Sequence, residues 1–254
     1  MECPPPSDLT EHDRARYEWQ MWVEGFGEIG QRRLKAATAF VSRVGGVGGT
    51  AAYYLAAAGI GRLILAHGGN VQPSDLNRQL LMTHDWLGKP RMESAVRRLR
   101  ELNPSVEVTG IPENVSQENI ARLAAGADII IDAAPLFAER HAMNRESVRL
   151  RIPMVECSMY EWEAHLTIFI PGETPCLSCL YPEDPAHWRR QFPVLGAVSG
   201  TVGAMAAAEA IKYLAGLGHN LAGSLLSIDL GSMQFRRLAI RRDPACLVCA
   251  DTTH

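Results

Sequence analysis

Two short cysteine pairs carry the clearest metal-binding chemistry in this sequence. Cys176 and Cys179 enclose two residues, and Cys246 and Cys249 repeat that spacing near the C-terminus. Each pair places two thiolates on one tight turn, and two such turns can complete a tetrahedral zinc site. Four cysteine ligands leave no open coordination position, so the sequence predicts a structural Zn²⁺ that joins the end of the chain to its middle. The alternatives are free thiols or two disulfides, and disulfides require an oxidising compartment.

A cluster of glycines marks a second candidate site. Gly45, Gly46 and Gly48 lie between a predicted strand, residues 38–42, and a predicted alanine-rich helix. A glycine turn in this position lets backbone N–H groups approach a phosphate closely, although such a turn can also serve packing alone. An NAD site would need an acid at the end of the next strand. His67 follows that strand instead, which disfavours a dinucleotide dehydrogenase.

Basic residues downstream of the second strand are candidates for the rim of the same pocket. Arg78, Lys89 and Arg91 would place positive charge beside a triphosphate if the chain returns to the glycine turn. Otherwise they are solvated residues near a helix start. The candidate nucleotide-binding residues are therefore Gly45, Gly46, Gly48, Arg78, Gln79, Lys89 and Arg91.

The order of predicted elements indicates an α/β fold with a Rossmann-like, mostly parallel sheet and helices on both faces. Apolar strands are predicted at residues 38–42, 63–66, 106–109, 128–132 and 154–157. Helices are predicted between them at residues 50–58, 91–102, 119–125 and 137–149. After residue 160 the alternation ends, and an antiparallel C-terminal extension is expected at residues 164–170, 224–229 and 233–240. The predicted organisation is an N-terminal helical arm, 1–36, and one nucleotide-binding domain, 37–254.

Composition and net charge indicate which classes of binding partner the chain is not expected to have. The chain has 254 residues and a net charge of −3, which gives no basic surface for nucleic acid. The uncharged run from 192 to 208 is rich in Gly, Ala, Ser and Thr, which is typical of a tightly packed interior helix rather than a membrane span. The first six residues lack the apolar segment of a signal peptide. We therefore expect a cytoplasmic protein with no nucleic-acid or membrane partner.

The order of these motifs resembles the HesA/MoeB/ThiF family, relatives of the ubiquitin-activating enzymes. The resemblance extends over nearly the whole chain, and the motifs that carry it are RYEWQ (16–20), GGVG (45–48), NRQ (77–79), GKPR (88–91), NP (103–104), PCLSC (175–179), EAIK (209–212) and CLVC (246–249). Two further segments, LLMTHDW (80–86) and FPVLGAVSGT (192–201), are most similar to the HesA members, which occur with nitrogen-fixation genes.

The resemblance implies an ATP-dependent adenylyltransferase. In such enzymes a carboxylate, typically the C-terminal glycine of a ubiquitin-like sulfur carrier, attacks the α-phosphate of ATP, and pyrophosphate leaves. The implied catalytic residues are Arg78, Arg91 and Asp132, and the implied cofactors are ATP, Mg²⁺ and a structural Zn²⁺ on the four cysteines. The implied partners are a second copy of the chain and a sulfur-carrier or nitrogenase-assembly protein, in the supply of nitrogenase metal cofactor, molybdenum or sulfur.

The sequence departs from the family pattern where ATP and Mg²⁺ would bind. Arg43 replaces the first glycine of the loop G-x-G-G-x-G, and His67 begins the segment that replaces the D-x-D motif. Pro135 replaces the metal-binding acid, which leaves the earlier Asp132. Because carboxylates hold Mg²⁺, we expect these replacements to weaken Mg·ATP binding. Two hypotheses follow: an active adenylyltransferase with an altered pocket, or a non-catalytic, dimeric binding or scaffold protein for nitrogenase cofactor assembly.

Three smaller expectations concern thiols and tryptophans. Residues 181–199 contain no cysteine, so no thioester acceptor is expected there, and Cys157 is interpreted as a buried structural thiol. Trp19 replaces the arginine that the family supplies from the partner subunit, and Arg16 is the candidate substitute. Trp19 and Trp22 are expected to be buried at a homodimer interface.

Overall fold

The computed structural model of the chain describes residues 6–185 and 191–252. The strands are β1 Thr38–Ser42, β2 Arg62–Ala66, β3 Glu107–Ile111, β4 Ile129–Asp132, β5 Met154–Tyr160, β6 Glu163–Phe169, β7 Ser224–Asp229 and β8 Gln234–Ala239. The helices are α1 Glu11–Met21, α2 Gly27–Ala36, α3 Gly46–Ala57, α4 Arg91–Leu102, α5 Ile120–Leu123, α6 Phe137–Leu150, α7 Leu177–Leu180 and α8 Gly196–Ala215.

The eight strands of the described residues form one sheet in the order β3-β2-β1-β4-β5-β6-β7-β8. Strands β1 to β5 are parallel to one another, and β6, β7 and β8 extend the sheet beyond β5 through antiparallel pairings. The predicted Rossmann-like sheet with an antiparallel C-terminal extension is confirmed. The chain order reverses between β1 and β4, and in such sheets ligands bind beyond the carboxyl ends of the strands at this switch point.

Successive side chains of the central strands point to opposite faces of the sheet, so a hydrophobic core lies on each face. Ala39 and Val41 of β1 face a core that also contains buried residues of α2, α3, α4 and α8. Phe40 faces the opposite core, which α5 and α6 cover. A parallel strand that is buried on both faces reads as a continuous apolar run, which explains why the central strands were predictable from the sequence.

Helix α3 begins at Gly46, four residues before the start predicted from composition. Glycine has a low helix propensity, but here the packing requires its missing Cβ. A Cβ at Gly48 would lie 2.6 Å from the carbonyl oxygen of Arg43, and one at Gly46 would lie 2.6 Å from Oγ of Ser199 on α8. Tertiary packing therefore overrides propensity at this helix start.

The N-terminal arm consists of two helices that pack against the sheet domain. Gly25 and Gly27, with φ of 79° and 52°, form the turn between α1 and α2. The hydroxyl of buried Tyr17 accepts a hydrogen bond from the Asn103 amide at 2.8 Å, and Leu34 is fully buried in the main core. No helix among the described residues is both long enough and apolar enough to cross a membrane.

Candidate functional site

The four predicted zinc ligands come together although seventy residues separate the two pairs. The Sγ atoms of Cys176 and Cys246 are 3.7 Å apart, those of Cys179 and Cys249 are 3.5 Å apart, and all four lie within 4.8 Å of one another. Four thiolates at about 2.3 Å from a tetrahedral Zn²⁺ have sulfur atoms about 3.8 Å apart. The spacing therefore fits a zinc ion held by four cysteines.

Neighbouring polar groups orient the thiols. The Asn144 amide donates to Sγ of Cys176 at 3.6 Å, and its oxygen accepts the backbone N–H of Leu177 at 2.9 Å. The backbone N–H of Asp243 donates to Sγ of Cys179 at 3.5 Å. Hydrogen bonds of this kind stabilise thiolates and orient them toward a metal. The group is thus a candidate structural metal centre.

A cavity lies beyond the carboxyl ends of β1 and β4, at the switch point of the sheet. Gly45 and Gly46, at the start of α3, form one wall, and Ala133, Ala134 and Pro135 form the wall that follows β4. The N-terminal N–H groups of a helix, together with its dipole, favour an anion at this position. Gly48 is packed against the end of β1 behind that wall, where it permits the tight turn.

A polar network around Asp75 forms the opposite wall. Arg91 lies 3.2 Å from Oδ2 of Asp75 and donates a hydrogen bond to Oε1 of Gln79 at 3.1 Å. The Gln79 amide donates to Oδ1 of Asp75 at 2.7 Å, and Arg78 lies 3.5 Å from the same oxygen. Arg78, Gln79 and Arg91 all line the cavity, so the chain does return to the glycine turn.

Arg43 also lines the cavity and pairs with Glu139 in the first turn of α6. Its Nε donates to Oε2 of Glu139 at 2.7 Å, and Nη2 donates to Oε1. Both side chains are largely buried. A bidentate arginine–carboxylate pair of this kind fixes the guanidinium in one orientation.

Arg140 follows Glu139 on α6 and contacts two further buried carboxylates, those of Glu156 and Asp132. Nη1 of Arg140 donates to Oε1 of Glu156 at 2.7 Å and lies 3.5 Å from Oδ2 of Asp132. Asp132 is fully buried, and burial raises its pKa to about 7, with Glu156 adding to the rise and Arg140 opposing it. Burial raises the pKa of the adjacent Cys157 thiol well above its usual value, which agrees with a structural thiol.

Lys89 and Asp132, like Gly48, lie away from the cavity surface. The Lys89 ammonium donates to the carbonyl of Asp85 at 3.1 Å and lies 4.6 Å from the centre of the Trp86 ring, outside the residues that line the cavity. Asp132 lies beneath the cavity floor, where its carboxylate contacts Arg140 rather than open space. Two residues of the cavity wall contact the Asp132 carboxylate: Arg140, and Ala134, whose backbone N–H donates to Oδ1 of Asp132 at 3.0 Å.

A second, mostly apolar cavity adjoins the first. The two cavities share Arg140, Ser158 and Met159. The remaining wall of the second cavity includes Phe137, Tyr160, His165 and Tyr181. The guanidinium of Arg140 thus lines both the cavity at the switch point of the sheet and the apolar one.

Sequence reasoning missed Glu139, Arg140 and Glu156. The signal for Glu156 was an acid inside the predicted buried strand 154–157, because a buried carboxylate needs a cationic partner. The signal for Arg140 was its place in the first turn of the helix that follows β4, at the carboxyl edge of the sheet. Glu139 had no signal of its own, because its importance comes from contact with Arg43.

Comparisons with known proteins agree with this architecture. Residues 17–248 match the ThiF family. The chain is 49% identical over 244 residues to the protein HesA, heterocyst, of Trichormus variabilis, covering 96% of this chain and 91% of that protein. It is 36% identical to the sulfur carrier protein adenylyltransferase of Thermus thermophilus, covering 95% and 93% of the two chains. The crystal structure of E. coli MccB with ATP superimposes with a TM-score of 0.83 at 24% identity, covering 95% of this chain and 74% of that one, which indicates a shared fold.

Proposed function

The chain belongs to the ThiF family, and from this membership we propose that it is an adenylyltransferase that activates a carboxylate with ATP. The carboxylate oxygen attacks the α-phosphorus, the bond to the bridging oxygen breaks, and pyrophosphate leaves. The product is an acyl-adenylate. One observation carries the proposal: four arginines and the glycine-lined start of α3 surround one cavity at the switch point of the sheet.

Each group has a role in that reaction. Backbone N–H groups at Gly46 and Val47, in the first turn of α3, hold phosphate oxygens at the positive end of the helix, whereas the Gly45 N–H already donates to the carbonyl oxygen of Arg43. Arg78 and Arg91 stabilise the charge that develops on the phosphates as pyrophosphate leaves. Gln79 and Asp75 keep the Arg91 guanidinium in place through the contacts described above.

The apolar cavity takes the substrate that bears the carboxylate. It shares Arg140 with the nucleotide cavity, so a carboxylate that enters from the apolar side meets a fixed guanidinium beside the phosphates. The name of the Thermus thermophilus relative, sulfur carrier protein adenylyltransferase, supports the C-terminus of a ubiquitin-like sulfur carrier as this substrate.

A non-catalytic binding or scaffold protein is the second candidate. It is favoured by the Arg43–Glu139 pair, which occupies part of the cavity wall where the family has a glycine, and by the burial of Asp132 beneath Arg140. Such a protein would bind its partner and Zn²⁺ but would not turn over ATP.

Exchange of labelled pyrophosphate into ATP separates the two functions. The zinc-loaded protein with a sulfur carrier that ends in glycine should catalyse exchange, and Arg78→Ala should slow it by about 100-fold, as expected when one charge-stabilising donor is lost. Arg62→Ala is the matched control, because Arg62 forms an exposed surface pair with Glu107 and should leave exchange unchanged. If no carboxylate in a panel of carriers and small acids supports exchange, the scaffold function replaces the enzymatic one.

The cellular context is part of the same proposal. We propose a cytoplasmic role in the supply of molybdenum, sulfur or metal cofactor to nitrogenase, as the resemblance to HesA members implies. The 49% identity to the heterocyst HesA protein supports that resemblance. We further propose that the protein is a homodimer and that its four-cysteine centre holds structural Zn²⁺. A nitrogenase-assembly protein is the corresponding partner under the scaffold function.

A further inference from the structure

The family implies Mg²⁺ with ATP, and the donor set of the cavity can be tested against that ion. Mg²⁺ is held in proteins by one or two carboxylates in octahedral geometry, together with water and phosphate oxygens. Among the described residues that line the nucleotide cavity, four are arginines and only Asp75 is an acid. Cationic groups repel a divalent ion, so the wall does not fit a protein-held Mg²⁺.

Both oxygens of Asp75 are already engaged. Oδ1 accepts from the Gln79 amide at 2.7 Å, and Oδ2 accepts from the backbone N–H of Gln72 at 2.9 Å. Arg91 lies 3.2 Å from Oδ2. A metal ion at Asp75 would have to displace these donors, and Asp75 is 6% exposed.

The carboxylates beneath the wall face arginines rather than the cavity. Glu139 is bound at both oxygens by Arg43, and Glu156 accepts a hydrogen bond from Arg140. Asp132 is fully buried, and its Oδ2, which accepts no hydrogen bond from a described residue, lies 3.5 Å from the Arg140 guanidinium. Glu139 lies in the first turn of α6, close after Pro135, the position of the family's metal-binding acid. This acid is already paired with the guanidinium of Arg43 and is not available to a metal ion.

The backbone conformation at Arg43 supports a functional role for its side chain. Its φ is 55°, in the left-handed region that glycine adopts without strain and that other residues adopt at a cost of about 1 kcal/mol or more. Glycine is the family residue at this position, so the strain exists only because an arginine is present. Nε and Nη2 are bound by Glu139, and no described residue accepts a hydrogen bond from Nη1.

We propose that Arg43, held by Glu139, is a built-in counter-cation for the nucleotide, so that this protein binds ATP phosphates without a protein-held Mg²⁺. The inference rests on the proposed function, since it assumes that the cavity takes ATP. The resident guanidinium supplies by hydrogen bonding what a metal supplies by coordination. Magnesium remains free to accompany ATP through the phosphates alone.

Calorimetric titration of the zinc-loaded protein with ATP tests this directly. One titration contains excess Mg²⁺, and the other contains EDTA at a concentration that removes Mg²⁺ and is first shown to leave the bound zinc in place. The affinities should agree within about threefold. The variant Arg43→Gln/Glu139→Gln removes both charges and leaves a polar side chain at each position, and it should bind ATP about 10-fold or more weakly in EDTA, the loss expected for a charge-assisted hydrogen bond.

A restoring variant sharpens the test. Arg43→Gly/Pro135→Asp returns the family residues to both positions, and its affinity should rise at least about 10-fold when Mg²⁺ is added. Circular dichroism and zinc content identify any variant that fails to fold. If the unmodified protein binds ATP only with Mg²⁺, the counter-cation role is overturned and the adenylyltransferase proposal stands. If it binds ATP in neither buffer, the proposed function fails and this inference fails with it.

Discussion

The buried charges under the nucleotide cavity show how single residues set the chemistry of the site. Arg43 and Arg140 each meet a carboxylate that water scarcely reaches. Removing one member of such a pair leaves an uncompensated buried charge and destabilises a protein by about 3–5 kcal/mol. Because each guanidinium is paired with a buried carboxylate, its orientation is fixed before a ligand binds. A fixed orientation favours recognition of phosphate groups.

Asp132 gives this arrangement a pH dependence. Burial raises its pKa to about 7, whereas the carboxyl of an unfolded chain titrates near 3.8. Between these values the native carboxyl keeps a proton that the unfolded chain has released, so the free energy of unfolding falls as pH rises from about 4 to about 7.

The variant Asp132→Asn should remove that dependence. The free energy of unfolding of the variant should not fall with pH in this way. The difference between the variant and the unmodified protein should therefore rise by about 4 kcal/mol from about pH 4 to about pH 7, at about 1.4 kcal/mol per pH unit. Urea denaturation at several pH values measures the difference. Parallel curves for the two proteins would mean that Asp132 does not titrate in this range.

The sequence predicted which segments meet at the cavity but not the contacts between them. Gly45, Gly46, Arg78, Gln79 and Arg91 line the cavity as expected, because a glycine turn and basic residues have recognisable local patterns, whereas Gly48 packs behind the wall. Lys89 was placed on the cavity by its neighbours in sequence, but its ammonium instead lies over Trp86. The pairs Arg43–Glu139 and Arg140–Glu156 depend on contacts between elements, which no local pattern encodes.

Among the helices, the contact of α3 with α8 positions the glycine wall. Gly203 of α8 lies against α3 so closely that a Cβ there would meet Cβ of Thr50 at 2.8 Å and would crowd the carbonyl of Val47. Gly46 makes a similar approach to Ser199. The small-residue helix was predicted from composition, and its small residues allow the two backbones to come together.

Two alanine substitutions on α8 should have opposite effects. Gly203→Ala forces the helices apart and should lower the free energy of unfolding by about 1–3 kcal/mol. Gly200→Ala, one turn away, has open space around the added Cβ and should raise it by about 0.5–1 kcal/mol, because alanine is the better helix former. Thermal unfolding of both variants shows whether each substitution stabilises or destabilises the protein. Equal effects at the two positions would contradict the proposed close contact.

The cysteine centre connects α7 to the C-terminal segment, which has little other packing of its own. Cys249→Ser should therefore lose Zn²⁺ and unfold at a temperature roughly 10 °C lower, the shift expected for a loss of about 4 kcal/mol. Cys157→Ser is the control, because this buried thiol lies apart from the four-cysteine group and should retain the metal. Metal analysis of the purified proteins measures whether the parent protein and each variant contain zinc. A metal-free parent protein would contradict the assignment of zinc.

The whole molecule presents an exposed aromatic pair on its N-terminal arm. Trp19 and Trp22 stack with ring centroids 5.9 Å apart and are 76% and 68% exposed in the single chain. Tryptophans are enriched at the energetic centres of interfaces. These residues are therefore our candidates for the homodimer contact.

Sedimentation equilibrium measures that assembly. The unmodified protein should be a dimer at micromolar concentration, and Trp19→Ala/Trp22→Ala should weaken association by about 30-fold or more, as loss of an interface hot spot does. Trp162→Ala, which removes another exposed tryptophan from the β6 side of the sheet, should leave the dimer unchanged. A monomeric parent protein would refute the dimer proposal.

The fold as a whole was predictable because its signals are long and repeated. Buried strands that alternate with helices indicate a parallel sheet, and the repeated cysteine spacing joins distant segments. Boundaries were less predictable where glycine packing decides them, as at the start of α3 and at the turn between α1 and α2.

A crystal structure with a non-hydrolysable ATP analogue would show whether ATP binds in the cavity between the ends of β1 and β4. The phosphates should lie at the N-terminus of α3, within hydrogen-bond distance of Arg78 and Arg43. An analogue bound elsewhere on the molecule, or crystals that contain none at saturating concentration, would mean that this cavity is not an ATP site.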